Sequence, residues 1–122
     1  MSENILQKII DQKKIKIEKL KREIDIKSLI ELINEKNFFF DFRKKIQTNI
    51  SENKISVIAE IKKASPSAGI LIDDYNPVKI ANIYNSKNVT CLSVLTEEDF
   101  FLGNLSHISE IKKKIELPIL CK

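Results

Sequence analysis

The sequence predicts an α/β chain whose strands run parallel. Three observations predict it. Residues 55–62 alternate in strand period, residues 89–95 and 117–122 are short apolar runs, and the segments between them carry apolar residues at helical spacing. Strand, helix, strand, helix, strand with short loops is the order in which helical crossovers link parallel strands. At 122 residues the chain makes at most one ordinary domain.

Before the first strand, Leu6, Ile9, Ile10, Ile17, Leu20 and Ile24 recur at helical spacing among lysines and glutamates. This predicts an amphipathic helix from Ile5 to about Ile24. Ser28-Leu-Ile-Glu31 has the form of a capping box and predicts a second helix to about Glu35. The aromatic cluster of Phe38, Phe39, Phe40 and Phe42 is expected to pack onto other parts of the chain. On pattern alone a coiled-coil or partner-binding helix is the lesser alternative for the whole segment.

Along residues 55–62, Ile55, Val57, Ala59 and Ile61 share one side of the strand, and Ile58, Glu60 and Lys62 the other. Glu60 and Lys62 then project together, roughly 7 Å apart. They mark either a strand end that opens onto a polar ligand or the solvated face of an edge strand. A Ser-Pro-Ser turn closed by Gly69 follows. Asn76-Pro77 places an N-cap before a proline in the first turn, predicting a helix over 77–86 with Ile80, Ile83 and Tyr84 on one side. The run 89–95 suits a parallel strand buried on both faces. Leu105, Ile108, Ile111 and Ile115 mark the next helix, and 117–122 a third strand with Pro118 near its start.

Composition excludes several classes. Hydrophobic residues make up 43% and charged residues 31%, a globular balance. No apolar run approaches the roughly 20 residues that span a bilayer, and the start lacks the pattern of a signal peptide. Cys91 and Cys121 are the only thiols, too few for a disulfide scaffold or a paired-cysteine metal site. A reducing cytoplasm is the expected location, with no membrane partner. The net charge of +4 comes from lysines interleaved with acids and without alternating aromatics, so nucleic acid is not expected as partner. An anionic small substrate explains the charge as well as solubility does. Asp73, Asp74, Glu97, Glu98 and Asp99 lack a recognised ligand spacing, so no metal is expected. His107 reads as a surface residue and both cysteines as small buried hydrophobes.

The string EIKKASPSAGI over residues 60–70 closely resembles the signature of the indole-3-glycerol phosphate synthase family. Val57, Ile58, Glu60, Ile61, Lys62, Ser65, Pro66 and Ser67 all fit that signature. Ala68 departs from it, standing where many members carry lysine on the phosphate side. CLSVLTEEDFFLG over 91–103 and LPILCK over 117–122 are similar to the family's second and third strands. The resemblance runs over residues 3–122.

What the resemblance implies is the N-terminal part of a (β/α)8 TIM barrel, strands one to three, preceded by a helical extension. Residues 1–50 would form the extension, lying across the barrel's active-site end, and residues 51–122 the incomplete barrel. The implied activity is that of a carboxy-lyase of tryptophan biosynthesis, acting on a phosphorylated small molecule with neither cofactor nor metal. Lys122 matches the family's general acid, Lys62 the lysine that holds substrate anion, and Glu60 the glutamate of the same network. Ser65 matches the start of the loop over the substrate, and Leu95 and Phe101 the apolar slot for the anthranilate ring. Two ammonium groups about 4 Å apart repel by roughly 4 kcal/mol near a protein surface, so Glu60 or a substrate anion must offset them. A full barrel takes about 250 residues. The family's base on strand four and its main phosphate cradle have no counterpart in these 122 residues. The stretch is therefore expected to be inactive alone and to self-associate through an open sheet edge. The alternative is a non-catalytic binding module that presents its basic helix to a partner, with Lys122 merely solvated.

Overall fold

A computed structural model describes residues 4–35 and 38–122; residues 1–3 and 36–37 of the expected extension lie outside them. The chain divides into two compact units, Met1–Phe39 and Phe40–Lys122. No helix among the described residues is long and apolar enough to cross a membrane.

The first unit holds two helices, α1 (Ile5–Glu23) and α2 (Ile26–Asn34). Asn4 caps α1, its side chain accepting the Leu6 N–H. The cap of α2 is not Ser28 but Asp25, whose Oδ1 accepts the Ser28 N–H at 2.7 Å. Ser28 thus sits at the third helical position. A carboxylate serves the helix start better than a hydroxyl, because it also meets the positive end of the helix dipole. That bond holds the Asp25 carboxyl below the ordinary carboxylate range. Neither helix buries a residue. Phe38 and Phe39 are exposed, while Phe40 and Phe42 are half-buried.

The second unit begins with a helix that the spacing did not mark, α3 (Phe42–Ser51), capped by Asp41. Its inward positions are Phe42, Ile46 and Asn49, at i, i+4 and i+7, and the last is polar, which hides the stripe. Then come β1 (Ile58–Ile61), the short β2 (Ala64–Ser65) and β3 (Gly69–Ile70), α4 (Pro77–Ser86), β4 (Cys91–Val94), α5 (Leu105–Lys112) and β5 (Ile119–Cys121). β1, β4 and β5 form one parallel sheet in that order. The Ser-Pro-Ser turn is the tip of a small antiparallel hairpin, β2 against β3. Gly69 closes it at φ 66°, a conformation that side chains with a Cβ adopt reluctantly.

The core lies between the sheet and the two crossover helices. Ala59, Ile61, Leu92 and Val94 meet Ala81 of α4 and Ile111 of α5, with Ile115 and Leu117 closing the layer. Asn76 caps α4 and accepts the Lys79 N–H at 3.0 Å. The buried side of α4 carries Pro77 and Ala81, with Ile80 and Tyr84 packed against the core. Ile83 is exposed instead, because it lies two residues from Ala81, nearly half a helical turn round. All of β4 is buried, as its apolar run predicts. Ile55 and Val57 precede β1 and are exposed.

Two smaller expectations are corrected. His107 is half-buried on α5, its ring tilted against Tyr75 at 5.7 Å between centroids. It shares the inward side of α5 with Ile108 and Ile111. Cys91 is buried as expected, but Cys121 is exposed, since it stands on β5 at the margin of the sheet.

A polar cluster sets the start of the sheet. The Thr90 hydroxyl, 5% exposed, accepts the Val57 N–H at 2.9 Å and the Asn49 side-chain amide at 3.3 Å. The same amide donates to the Ser56 hydroxyl at 3.0 Å. Asn49 therefore ties α3 to the N-terminal ends of β1 and β4.

Candidate active site at the strand tips

The register of the sheet decides which side chains meet. Glu60 pairs with Ser93 and Ser93 with Leu120; Ile61 pairs with Val94 and Val94 with Cys121. Side chains alternate between faces of a strand, and directly paired residues share a face. Ala59, Ile61, Leu92 and Val94 turn toward the helices. Glu60, Ser93 and Leu120 must then turn away from them. One step of period two further on, Lys62, Leu95 and Lys122 return to the face of Glu60. The ladder carries on to this row: the Leu95 N–H donates to the Ile61 carbonyl at 3.1 Å and the Lys122 N–H to the Val94 carbonyl at 3.0 Å.

Three sequence-predicted residues are thereby brought into contact. Lys122 Nζ lies 2.9 Å from Glu60 Oε2, and Lys62 Nζ lies 3.6 Å from Glu60 Oε1. One carboxylate bridges two ammonium groups that would otherwise repel. The Ser93 hydroxyl adds a bond to Glu60 Oε2 at 3.3 Å. These partners hold the Glu60 carboxyl below the ordinary carboxylate range: the Lys122 hydrogen bond contributes most, partial burial opposes it, and the Lys122 charge, Ser93 and Lys62 assist. The Glu60 and Lys62 side chains are about one-third exposed and Lys122 about half, at 31%, 33% and 54%. The cluster is open to a solute while remaining tied to the strand ends.

The remaining three predicted residues lie just past β4, in the β2–β3 hairpin and in the loop after β4. Leu95 shares its face at the end of β4 and is 3% exposed. Ser65 belongs to the hairpin after β1, its Oγ accepting the Ala68 N–H at 3.2 Å and lying 3.4 Å from Ser67 Oγ. Phe101 is half-buried in the loop after β4. That loop has an organiser which sequence reasoning weighed only as a metal ligand. Glu97 Oε2 accepts the N–H groups of Phe100 and Phe101 at 2.7 and 3.1 Å, and Oε1 that of Asp99 at 3.0 Å. Its carbonyl accepts the Gly103 N–H at 2.7 Å. Gly103 packs so close to the chain that a Cβ there would meet the Leu95 carbonyl oxygen at 2.2 Å. Among the described residues no three His, Cys, Asp or Glu side chains gather as a metal site.

Two further contacts on Glu60 were missed. Ser93 is the lone hydroxyl within a strand otherwise apolar and buried, and a buried hydroxyl needs a partner; that was the available signal. Tyr84 of α4 donates its hydroxyl to the Glu60 carbonyl at 2.9 Å. Tyr84 sits at ordinary core spacing, so nothing in the sequence marks it.

The site lies where the parallel strands end, the edge of such a sheet at which ligands bind. The family model of indole-3-glycerol phosphate synthase matches residues 6–122. Among curated relatives, the indole-3-glycerol phosphate synthase of Prochlorococcus marinus is 42% identical over 99% of this chain and 40% of its own length. That of Thermoanaerobacter pseudethanolicus is 44% identical over 97% of this chain and 44% of its own, and that of Trichodesmium erythraeum 38% identical over 98% and 39%. The chain thus spans about 40% of the length of the relatives it matches. With a match over nearly all of its residues, the chain belongs to the indole-3-glycerol phosphate synthase family.

Proposed function

We propose that these residues supply the acid side of a carboxy-lyase site that makes indole-3-glycerol phosphate from 1-(2-carboxyphenylamino)-1-deoxyribulose 5-phosphate, a step of tryptophan biosynthesis. The observation that carries the reading is the Glu60 bridge between Lys62 and Lys122 at the strand ends. Lys122 is a charged donor at a solvent-open tip and protonates the substrate carbonyl oxygen. The ring carbon that bears the carboxylate then bonds to the carbonyl carbon. Carbon dioxide leaves from that ring carbon, its bonding pair restoring the aromatic ring. The hydroxyl formed from the carbonyl oxygen then takes a second proton and leaves as water, while C1 of the sugar chain gives a proton to the family's base on a further strand and the indole double bond forms. Lys62, the more loosely paired of the two at 3.6 Å, exchanges its carboxylate contact for a substrate anion. Glu60 keeps both ammonium groups in place before substrate arrives, and Leu95 and Phe101 accept the anthranilate ring. Binding and orientation in this way supply much of an enzyme's rate.

The family's base lies on a further strand, so residues 1–122 alone are inferred to turn over little substrate. The test is formation of indole-3-glycerol phosphate from the carboxyphenylamino sugar phosphate, followed by product fluorescence. It is run on the 122-residue chain and on the same chain extended by the family's remaining strands. The extended chain is expected to be active and to lose activity in K122M. No product from the extended chain overturns the lyase reading, and full turnover by the 122 residues overturns the inference that they are incomplete.

A further inference from the structure

We propose that Ser93 is a positioning residue for Glu60: its hydroxyl selects the side-chain rotamer that turns Oε2 toward Lys122 and Oε1 toward Lys62. The argument begins with the carboxylate itself. Glu60 has three side-chain torsions, and at the tip of an open strand nothing in β1 alone fixes them. Its two ammonium partners cannot fix them either, because both sit on long, flexible stems that follow the carboxylate wherever it points. Ser93 differs from both. It is 3% exposed, lies in the central strand, and is paired with Glu60 in the register of the sheet. Its hydroxyl has one bond to rotate and meets Oε2 at 3.3 Å.

Among the described residues, Ser93 is therefore the one short, rigid donor on the carboxylate. Because it takes Oε2, the oxygen it shares with Lys122, it settles which oxygen each lysine receives. Tyr84 holds the same residue from the opposite end, with its hydroxyl on the Glu60 carbonyl. The backbone and the head group of Glu60 are thus fixed by two different elements. The catalytic consequence rests on the lyase reading above, whereas the geometric statement does not.

The experiment reads Glu60 directly in the 122-residue chain labelled with ¹³C at glutamate side chains. Its carboxyl is titrated and its side-chain couplings are measured for wild type, S93A and S93T. In S93A the couplings are expected to average over several rotamers, and the carboxyl to titrate at higher pH, since a hydroxyl that favours the charged form has gone. S93T keeps the hydroxyl and is expected to restore both. Unchanged couplings and an unchanged titration in S93A overturn the proposal. Should S93A fail to fold, the wild-type chain decides it: a slowly exchanging Ser93 hydroxyl proton with a cross-relaxation peak to the Glu60 γ-protons supports the proposal, and its absence at low temperature overturns it. None of these readouts uses turnover, so the positioning role and the lyase reading can fail separately.

Discussion

Replacing Glu60 by glutamine separates what the carboxylate does for the fold from what it does for the site. The substitution keeps the shape and removes the charge. Two ion pairs are lost, at 2.9 and 3.6 Å, with side chains between one-third and one-half exposed. A unit charge pair about 4 Å apart is worth about 1 kcal/mol in water, and exposed pairs in proteins contribute about 0.2–1 kcal/mol after ordering and screening. The two together therefore stabilise the fold by at most about 2 kcal/mol. The effect on the site is larger, because Lys62 and Lys122 then face each other with no negative group between them. Urea denaturation of E60Q is expected to show a loss within that range. The ¹⁵Nζ resonances of both lysines should move toward solvent values, and the extended chain should lose lyase activity. A loss of 4 kcal/mol or more would show Glu60 to be a core element and refute this division. Unmoved lysine resonances would refute the bridge.

Acid should undo the same cluster. The Glu60 carboxyl sits below its ordinary value of 4.5 because of Lys122 first, against partial burial. Its contribution to stability is therefore full above about that pH and is lost as pH falls through the folded-state value; Asp25 acts in the same direction. A urea midpoint that does not fall on acidification below that range contradicts this. T90V removes the acceptor of the Val57 N–H and of the Asn49 amide while keeping volume, and is expected to destabilise by about 1–3 kcal/mol. At about 4–8 °C per kcal/mol for a domain of this size, the melting temperature should fall by at least about 4 °C, with T90S close to wild type. G103A drives a Cβ into the Leu95 carbonyl and should cost about 1–3 kcal/mol through backbone displacement. An unchanged melting curve for either variant shows that its contact does not hold the fold.

The fold was legible where one periodicity dominated. The α4 bounds over 77–86 follow from Asn76-Pro77 and the apolar spacing, and β4 from an apolar run flanked by polar residues. Legibility failed where a polar side chain filled an inward position. α3 was hidden because its third inward residue is Asn49, whose amide is bonded to Ser56 and Thr90 and not packed in a core. The α2 start was misplaced because two capping residues compete within four positions, and the carboxylate of Asp25 prevails over the hydroxyl of Ser28. Ile83 and Cys121 were misassigned for a shared reason: a hydrophobic residue is buried only where a second layer reaches it, and sequence does not mark where a layer ends.

The candidate site was legible because the family resemblance singled out Glu60, Lys62 and Lys122, and strand geometry accounts for their meeting. Glu60 and Lys62 are two residues apart on one strand, so period two alone places them on the same side. Bringing in Lys122 needs a second fact, the parallel register that sets Glu60 level with Ser93 and Leu120. That register is pinned at the far end of the sheet, where Thr90 holds the Val57 N–H. A slip of one residue there would turn Glu60 and Lys62 toward the helices and bring Ala59 and Ile61 out of the core. The apolar core and the charged tip are thus two faces of one alignment. The burial that holds Ala59, Ile61, Leu92 and Val94 against Ala81 and Ile111 is also what holds Glu60 within 2.9 Å of Lys122.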